Sequence, residues 1–248
     1  MLSVIPVKLA GDIRHGDDIG SMILKKIKLQ GGDIIVVAQK AVSKAEGRVV
    51  HLEKVRPSRK AARLARELKK DPRVVQLILD EAKEIVLVKN GIIITETWHG
   101  LVCANSGVDQ SNLADENAAV LLPKNPDGIA KKMRSFFKEK SGRDVAVVIT
   151  DTFGRPFREG QTNVAIGVAG IKPIRNYIGR KDMFGKKLHV TEIAVADEIA
   201  SAAELVMNKS DGVPVAVVRG YAYEKDEHAS LKRLLRGKKT DLFRHVKT

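Results

Sequence analysis

Cysteine is nearly absent: Cys103 is the only one in 248 residues. A lone thiol closes no internal disulfide, so a disulfide scaffold is excluded and a reducing, cytoplasmic setting is expected. Histidines stand at 15, 51, 99, 189, 228 and 245 without metal-ligand spacing, which removes a Cys/His zinc site as well. Aromatic residues make up only 4% and do not interleave with the basic ones, which argues against a stacking platform for single-stranded nucleic acid. No apolar run has the length needed to cross a bilayer, and MLSVIPVKLAGDIRHGDD lacks the basic-then-apolar layout of a secretory leader. The phosphate loop G-x-x-x-x-G-K-[ST], the dinucleotide fingerprint G-x-G-x-x-G and the nucleophile elbow G-x-S-x-G are all missing. Any nucleotide must be held by other means.

Acidic residues are the minority charge: 30 Asp and Glu face 44 Lys and Arg, for a net +14. Such a field gathers anions, whether nucleotides, charged metabolites, nucleic acid or membrane surface. A Lys-rich solvated surface of thermophilic type gives the same balance. The basic residues recur along the chain, at 25–28, 54–70, 131–140, 180–187 and 232–239.

Apolar periodicity predicts strands at 4–7, 33–38, 144–150, 164–171 and 213–219. It predicts helices at 18–27, 58–69, 72–82 and 194–207, and another beginning with Asp127 as its cap and ending at Gly142. Segments 84–88 and 91–97 flank Lys89-Asn90-Gly91 and predict a hairpin, with 101–104 as a third strand. Helices and strands mix without a regular βαβ rhythm, so the expected fold class is α+β with mixed sheets, as one domain over 1–248 or two interleaved lobes. A polar, basic segment from 224 onward is expected to be peripheral.

Four polar islands abut the apolar strands. In the first, residues 42–48, Lys44 and Arg48 follow a buried strand with a hydroxyl and a glycine, suited to phosphate oxygens; a solvated loop is the competing reading. The second, residues 105–112, has small and amide side chains that let a ligand approach the backbone, and Asp109 offers a hard oxygen to Mg²⁺ or Mn²⁺; an Asx turn competes. In the third, residues 150–158, Asp151 ends an apolar strand where a carboxylate needs a partner, either a metal or Arg155 and Arg158. The fourth, residues 208–212, reads by itself as a helix terminus and turn. Asp109 and Asp151 together are the minimum for holding a divalent ion against phosphate oxygens.

In order along the chain, Ile5-Pro6-Val7, Gly16-Asp17-Asp18, SKAEGR (43–48), NSGVDQSN (105–112), LLPKNPDG (121–128) and ITDTFGRPFREG (149–160) resemble the coenzyme F420-0:L-glutamate ligase family, the F420 γ-glutamyl ligases. AIGVAGI (165–171), IGRKDMFGKKL (178–188), VADEIASAAELVM (195–207) and DGVPVAVVRG (211–220) continue the series. The resemblance implies a homodimeric α+β enzyme that uses GTP, Mn²⁺ or Mg²⁺, and K⁺ to join L-glutamate to the carboxylate of coenzyme F420-0, adding further γ-linked glutamates. By matched position it implies Asp109, Asp151 and Thr152 as metal ligands, and Lys44 and Asn112 as nucleotide contacts. Ala10, Gly11, Asp12, Ile13, Gln39, Lys40, Met207, Asn208, Lys209, Ser210, Asp211 and Gly212 would border the nucleotide. Asp109, Asp151, Lys44, Arg155 and Arg158 are the expected catalytic set. Asn-Lys-Ser at 208–210 departs from relatives that carry an acidic residue there. A related ligase that glutamylates or amidates another anionic acceptor is the alternative within enzymes; a non-catalytic basic nucleic-acid-binding protein is the competing class, and the two acids speak against it.

Overall fold

A computed structural model of the chain describes residues 1–241 and residue 243. The first half runs β1 (Ser3–Val7), α1 (Ile19–Leu24), β2 (Ile34–Ala38), α2 (Gln39–Ala45), β3 (Val49–His51), α3 (Arg59–Leu68) and α4 (Pro72–Glu81). Then come β4 (Ala82–Lys89), β5 (Ile92–Thr97), β6 (Val102–Ala104), β7 (Ala118–Val120) and α5 (Pro126–Ser141). The chain continues through β8 (Ala146–Arg155), β9 (Arg158–Ala169), β10 (Arg175–Asn176), β11 (Glu192–Ile193), α6 (Val195–Met207) and β12 (Val215–Arg219).

The central sheet has five strands in the order β1-β12-β2-β8-β9. β2 and β8 run parallel and the other neighbours antiparallel, so the fold is α+β with a mixed sheet. Alternation along β2 sends Ile35 and Val37 to one face and Ile34 and Val36 to the other, all fully buried. The first face packs on α1 and α5 through Ile19, Ile23, Ala130 and Phe137. The second packs on α6, whose Ala196, Ala200 and Ala203 let the helix lie close to the strands. A third core joins α3 and α4 to Ile93 of the β4-β5-β6 meander. Where α5 begins, Gly167 of β9 has no room for a side chain, since a Cβ there would sit 2.7 Å from the Pro126 carbonyl carbon.

Several sequence expectations need correction. Residues 39–45 are helical, not a polar loop; α2 lacks a capping side chain at Ala38, so the usual start signal is missing. The expected strands at 144–150 and 164–171 are parts of one long hairpin, with Thr150 to Arg155 continuing β8 past its apolar stretch. Pro156 lies in the two-residue turn between the strands, where it interrupts no ladder hydrogen bond. The cap of α5 is Asn125, which accepts the Gly128 N–H at 3.0 Å. Asp127 instead accepts the Val168 and Leu231 N–H groups and the Ser230 hydroxyl, tying α5 to β9 and to the basic segment. Within that segment Ala229 and Leu231 are buried and anchor its first part to the core, while residues 236–240 are exposed at the periphery; residues 242 and 244–248 lie outside the described residues.

Candidate active site at the carboxyl ends of the central strands

β2 and β8 deliver the chain to the same edge of the sheet, where Ala38 lies opposite Thr150. Carboxyl ends of parallel strands are where open α/β sheets bind ligands, because the chain leaves each strand there and opens a crevice. Immediately beyond Ala38, α2 places Lys40 and Lys44 one turn apart on one face. Gln39 turns inward, donating from Nε2 to the Ser43 hydroxyl at 2.7 Å and to the Leu121 carbonyl at 3.2 Å.

Lys40 meets the second island. Its Nζ donates to Asp109 Oδ2 at 2.8 Å and to the Ser111 carbonyl at 2.7 Å. Asp109 is pinned from both sides: its backbone exchanges hydrogen bonds with Val120, and Oδ1 accepts the Ser111 N–H at 2.7 Å. Burial pushes the Asp109 carboxyl up, but the Lys40 ammonium and the Ser111 donors outweigh it and hold the group below the usual carboxylate value.

Asp151 is treated differently. It is half-buried in β8 opposite Val164 and forms no salt bridge among the described residues. Burial raises its carboxyl to about 6, opposed by the Thr152 N–H and by the charge of Lys209; the negative charge of Asp109 adds to the rise. The two acids expected from sequence therefore share one electrostatic neighbourhood. Cys103 borders it: burial, with the nearby Asp151 charge, pushes the thiol up to about 12, which suits a packing residue and not a nucleophile.

The fourth island closes the far side. Lys209 donates to the Thr152 hydroxyl, which donates to Asn163 Oδ1 at 2.6 Å, and Asn163 Nδ2 donates to Glu204 Oε2 at 2.8 Å. Asn112, held at φ +54°, donates to the Lys209 carbonyl at 3.1 Å and links the second island to the fourth. Asn208 and Ser210 both donate to the Asp211 carboxylate, and Gly212 follows with φ +66°. Asp12 comes to the mouth as the partner of Lys44, 2.7 Å from its ammonium, with Ala10 and Gly11 exposed beside it. Ile13 and Met207 point into the core, leaving only their backbones for a ligand.

Two expected residues stand apart. Arg155 ends β8, roughly 13 Å along the strand from Asp151 at about 3.3 Å per residue, and its guanidinium donates to the Glu159 carbonyl. Arg158 starts β9 at the same exposed tip, and neither arginine forms a salt bridge with Asp151 among the described residues. Arg48 also leaves the site, binding Glu81 and the Leu122 carbonyl.

Sequence reasoning missed Ser111, Asn163 and Glu204. Asn163 could be found only from the hairpin register that sets it opposite Thr152. Glu204 carried a signal: an acid in the last turn of a helix faces the unfavourable end of its dipole, so something else must hold it there.

Among the described residues no group of three or more His, Cys, Asp or Glu is placed to hold a metal ion. Two converging carboxylates, one of them without a cationic partner, fit a hard divalent ion that takes its remaining ligands from phosphate oxygens and water. They do not fit an ion held by the protein alone.

The sequence model of the F420-0:gamma-glutamyl ligase family matches residues 9–220. The chain belongs to this family. A coenzyme F420:L-glutamate ligase of Methanothermobacter thermautotrophicus is 45% identical over 250 residues, covering 98% of this chain and 99% of that protein. The protein of the same name from Methanocaldococcus jannaschii is 47% identical over 226 residues, 91% of this chain and 90% of its own. That from Methanopyrus kandleri is 42% identical, covering 98% of each chain. The family match spans all four islands and stops before the packed basic segment. No helix among the described residues is long and apolar enough to cross a membrane.

Proposed function

We propose that this F420-0:gamma-glutamyl ligase family member is a GTP- and metal-dependent ligase that joins L-glutamate to the carboxylate of coenzyme F420-0 and then adds further γ-linked glutamates. Support comes from the activity named for its relatives and from one observation, the convergence of Asp109 and Asp151 beside the carboxyl end of β2. Amide formation in water needs an activated carboxylate, because hydroxide is a poor leaving group. Transfer of the GTP γ-phosphoryl group to the acceptor carboxylate supplies that activation as an acyl phosphate. The glutamate amine then attacks the acyl carbon, and phosphate leaves.

A divalent ion such as Mn²⁺ or Mg²⁺ would supply positive charge to the reacting phosphate oxygens. Asp109 and Asp151 would hold it, with the Thr152 hydroxyl beside them. Lys40 keeps Asp109 ionised and oriented before any ligand arrives. Lys44 exchanges its Asp12 contact for a phosphate oxygen when the nucleotide enters. Arg155 or Arg158, both at the tip of the β8–β9 hairpin, would be the guanidinium offered to the transferring group. Activation by K⁺ and a homodimeric assembly belong to the same reading, and a sedimentation measurement tests the second.

The deciding experiment incubates the protein with F420-0, GTP, Mn²⁺ and L-glutamate and follows glutamate conjugates by mass spectrometry. Heavy oxygen placed in the acceptor carboxylate should appear in the released phosphate. Conjugates without that transfer would refute the acyl phosphate, and no conjugates at all would refute the ligase reading.

A further inference from the structure

The opposite end of β2 carries a second concave feature. Leaving α1, the chain passes through Lys25, Lys26 and Lys28 before entering the sheet at Ile34, and this strap lies over the last turn of α5. Between them is an open cavity of about 440 Å³. Its charged lining consists of Lys25, Lys26, Lys28, Lys140 and Arg143, with Ser141 among them and no acidic residue. It is separated from Lys40 by the length of β2, roughly 17 Å at about 3.3 Å per residue.

Neutralisation here is sparse. Lys140 pairs with Glu139 at 2.8 Å. Lys25, Lys26, Lys28 and Arg143 form no salt bridge among the described residues, although seventeen such pairs occur elsewhere or at the rim. Asp18 lends Lys25 and Lys140 a more distant charge, but its carboxylate already caps α1 through Ser21. Lysines after a helix can complement its carbonyl end. α1 has only six residues, however, and three lysines following it exceed what so short a dipole calls for. Like charges gathered in a concavity focus a positive potential that a polyanion would relieve.

We infer that this cavity is a second anion site, distinct from the Asp109–Asp151 crevice, for a small linear polyanion bearing three or more phosphate or carboxylate charges. It offers ammonium and guanidinium donors along a strap, no carboxylate or histidine, and one hydroxyl, Ser141, already donating to the Phe137 carbonyl, so its ligand is bound and not transformed. Condensed phosphate and an oligo-γ-glutamate chain present the same charge pattern.

Titration calorimetry on the full chain tests this, with tripolyphosphate and tri-γ-glutamate as separate probes and EDTA present to silence any metal-dependent binding. At least one probe should bind with one-to-one stoichiometry and weaken about tenfold when KCl rises from roughly 50 to 300 mM. The triple substitution Lys26→Gln, Lys28→Gln, Arg143→Gln should weaken it at least tenfold, while a control triple, Lys181→Gln, Lys186→Gln, Lys187→Gln, leaves it within twofold. Binding of one probe alone identifies the source as phosphate or carboxylate. The inference fails if neither probe binds, if the cavity triple binds like the parent, or if the control triple weakens binding as much. Matching thermal midpoints for the two triples show that a loss is not misfolding.

Discussion

Asp109 and Asp151 are the same residue type in one neighbourhood, and the regions that carry them treat them in opposite ways. Asp109 sits on a turn-rich loop and is ringed by donors, with Lys40 and Ser111 in contact. Asp151 sits within an apolar strand and has a single backbone donor, from Thr152. The loop holds its acid ionised below the ordinary value, and the strand pushes its acid up to about 6. A site built this way has one carboxylate whose charge is already satisfied and one whose charge, present at neutral pH, stays unfavourable until a cation offsets it. Desolvation in a strand and donor capture in a loop thus make two roles from one side chain.

The largest effect that would test this contrast is on turnover. Asp151→Asn and Asp109→Asn should each lower GTP-dependent glutamate ligation by at least about a hundredfold, measured at saturating Mn²⁺. Near-normal rates in either variant would break the pairing of the two acids.

Stability should separate what activity does not. Asp151 has a folded pKa above its unfolded one, so its destabilising contribution vanishes below the unfolded value, is still small at pH 4, grows as pH rises toward 6 and is complete above it. Metal-free Asp151→Asn should therefore be more stable than the parent at pH 8, by up to about 2 kcal/mol, and nearly equal to it at pH 4. Asp109 has the opposite sign: its stabilisation is present above the unfolded value and lost as pH falls through its lowered folded value. Because Asp109 is nearly half exposed and its pair with Lys40 is screened by solvent, Asp109→Asn should lose under about 1 kcal/mol at pH 8. Urea midpoints for both variants at both pH values check this, and shifts of the same sign would contradict the contrast.

A smaller effect concerns Lys40, which occupies the carboxylate that the cation needs. Lys40→Met should tighten Mn²⁺ binding to the nucleotide-free protein several-fold while weakening ligation, measured by the loss of the free Mn²⁺ resonance signal. Unchanged affinity would mean that Lys40 and the cation do not compete. Smallest is a control remote from the acids: Asn125→Ala removes the cap of α5 and should cost about 1 kcal/mol with turnover retained.

Much of the fold was legible because burial writes itself into periodicity: the continuous apolar run of β2, the helical spacing in α5 and the Ala-rich α6 all appear where expected. The hidden parts lack local signals. α2 has no capping side chain, and the outer half of β8 is polar because it serves the site and not the core. For the candidate site, the four islands were visible as polar interruptions, but their internal wiring was not. The Lys40–Asp109 contact and the Thr152–Asn163–Glu204 chain join residues far apart in sequence, and only the sheet's register brings them together. Arg155 and Arg158 looked like partners for Asp151 because sequence distance is short, while a strand separates them by its full rise per residue.

The most direct test is Mn²⁺ binding in the presence of GTP, measured by calorimetry on the parent and on Asp151→Asn at pH 5 and pH 7.5. The account predicts tight binding by the parent at the higher pH, about tenfold weaker binding per pH unit below 6, and at least a hundredfold loss with the pH dependence removed in the variant. Equal affinity in the two proteins, or a parent affinity indifferent to pH across that range, would contradict it.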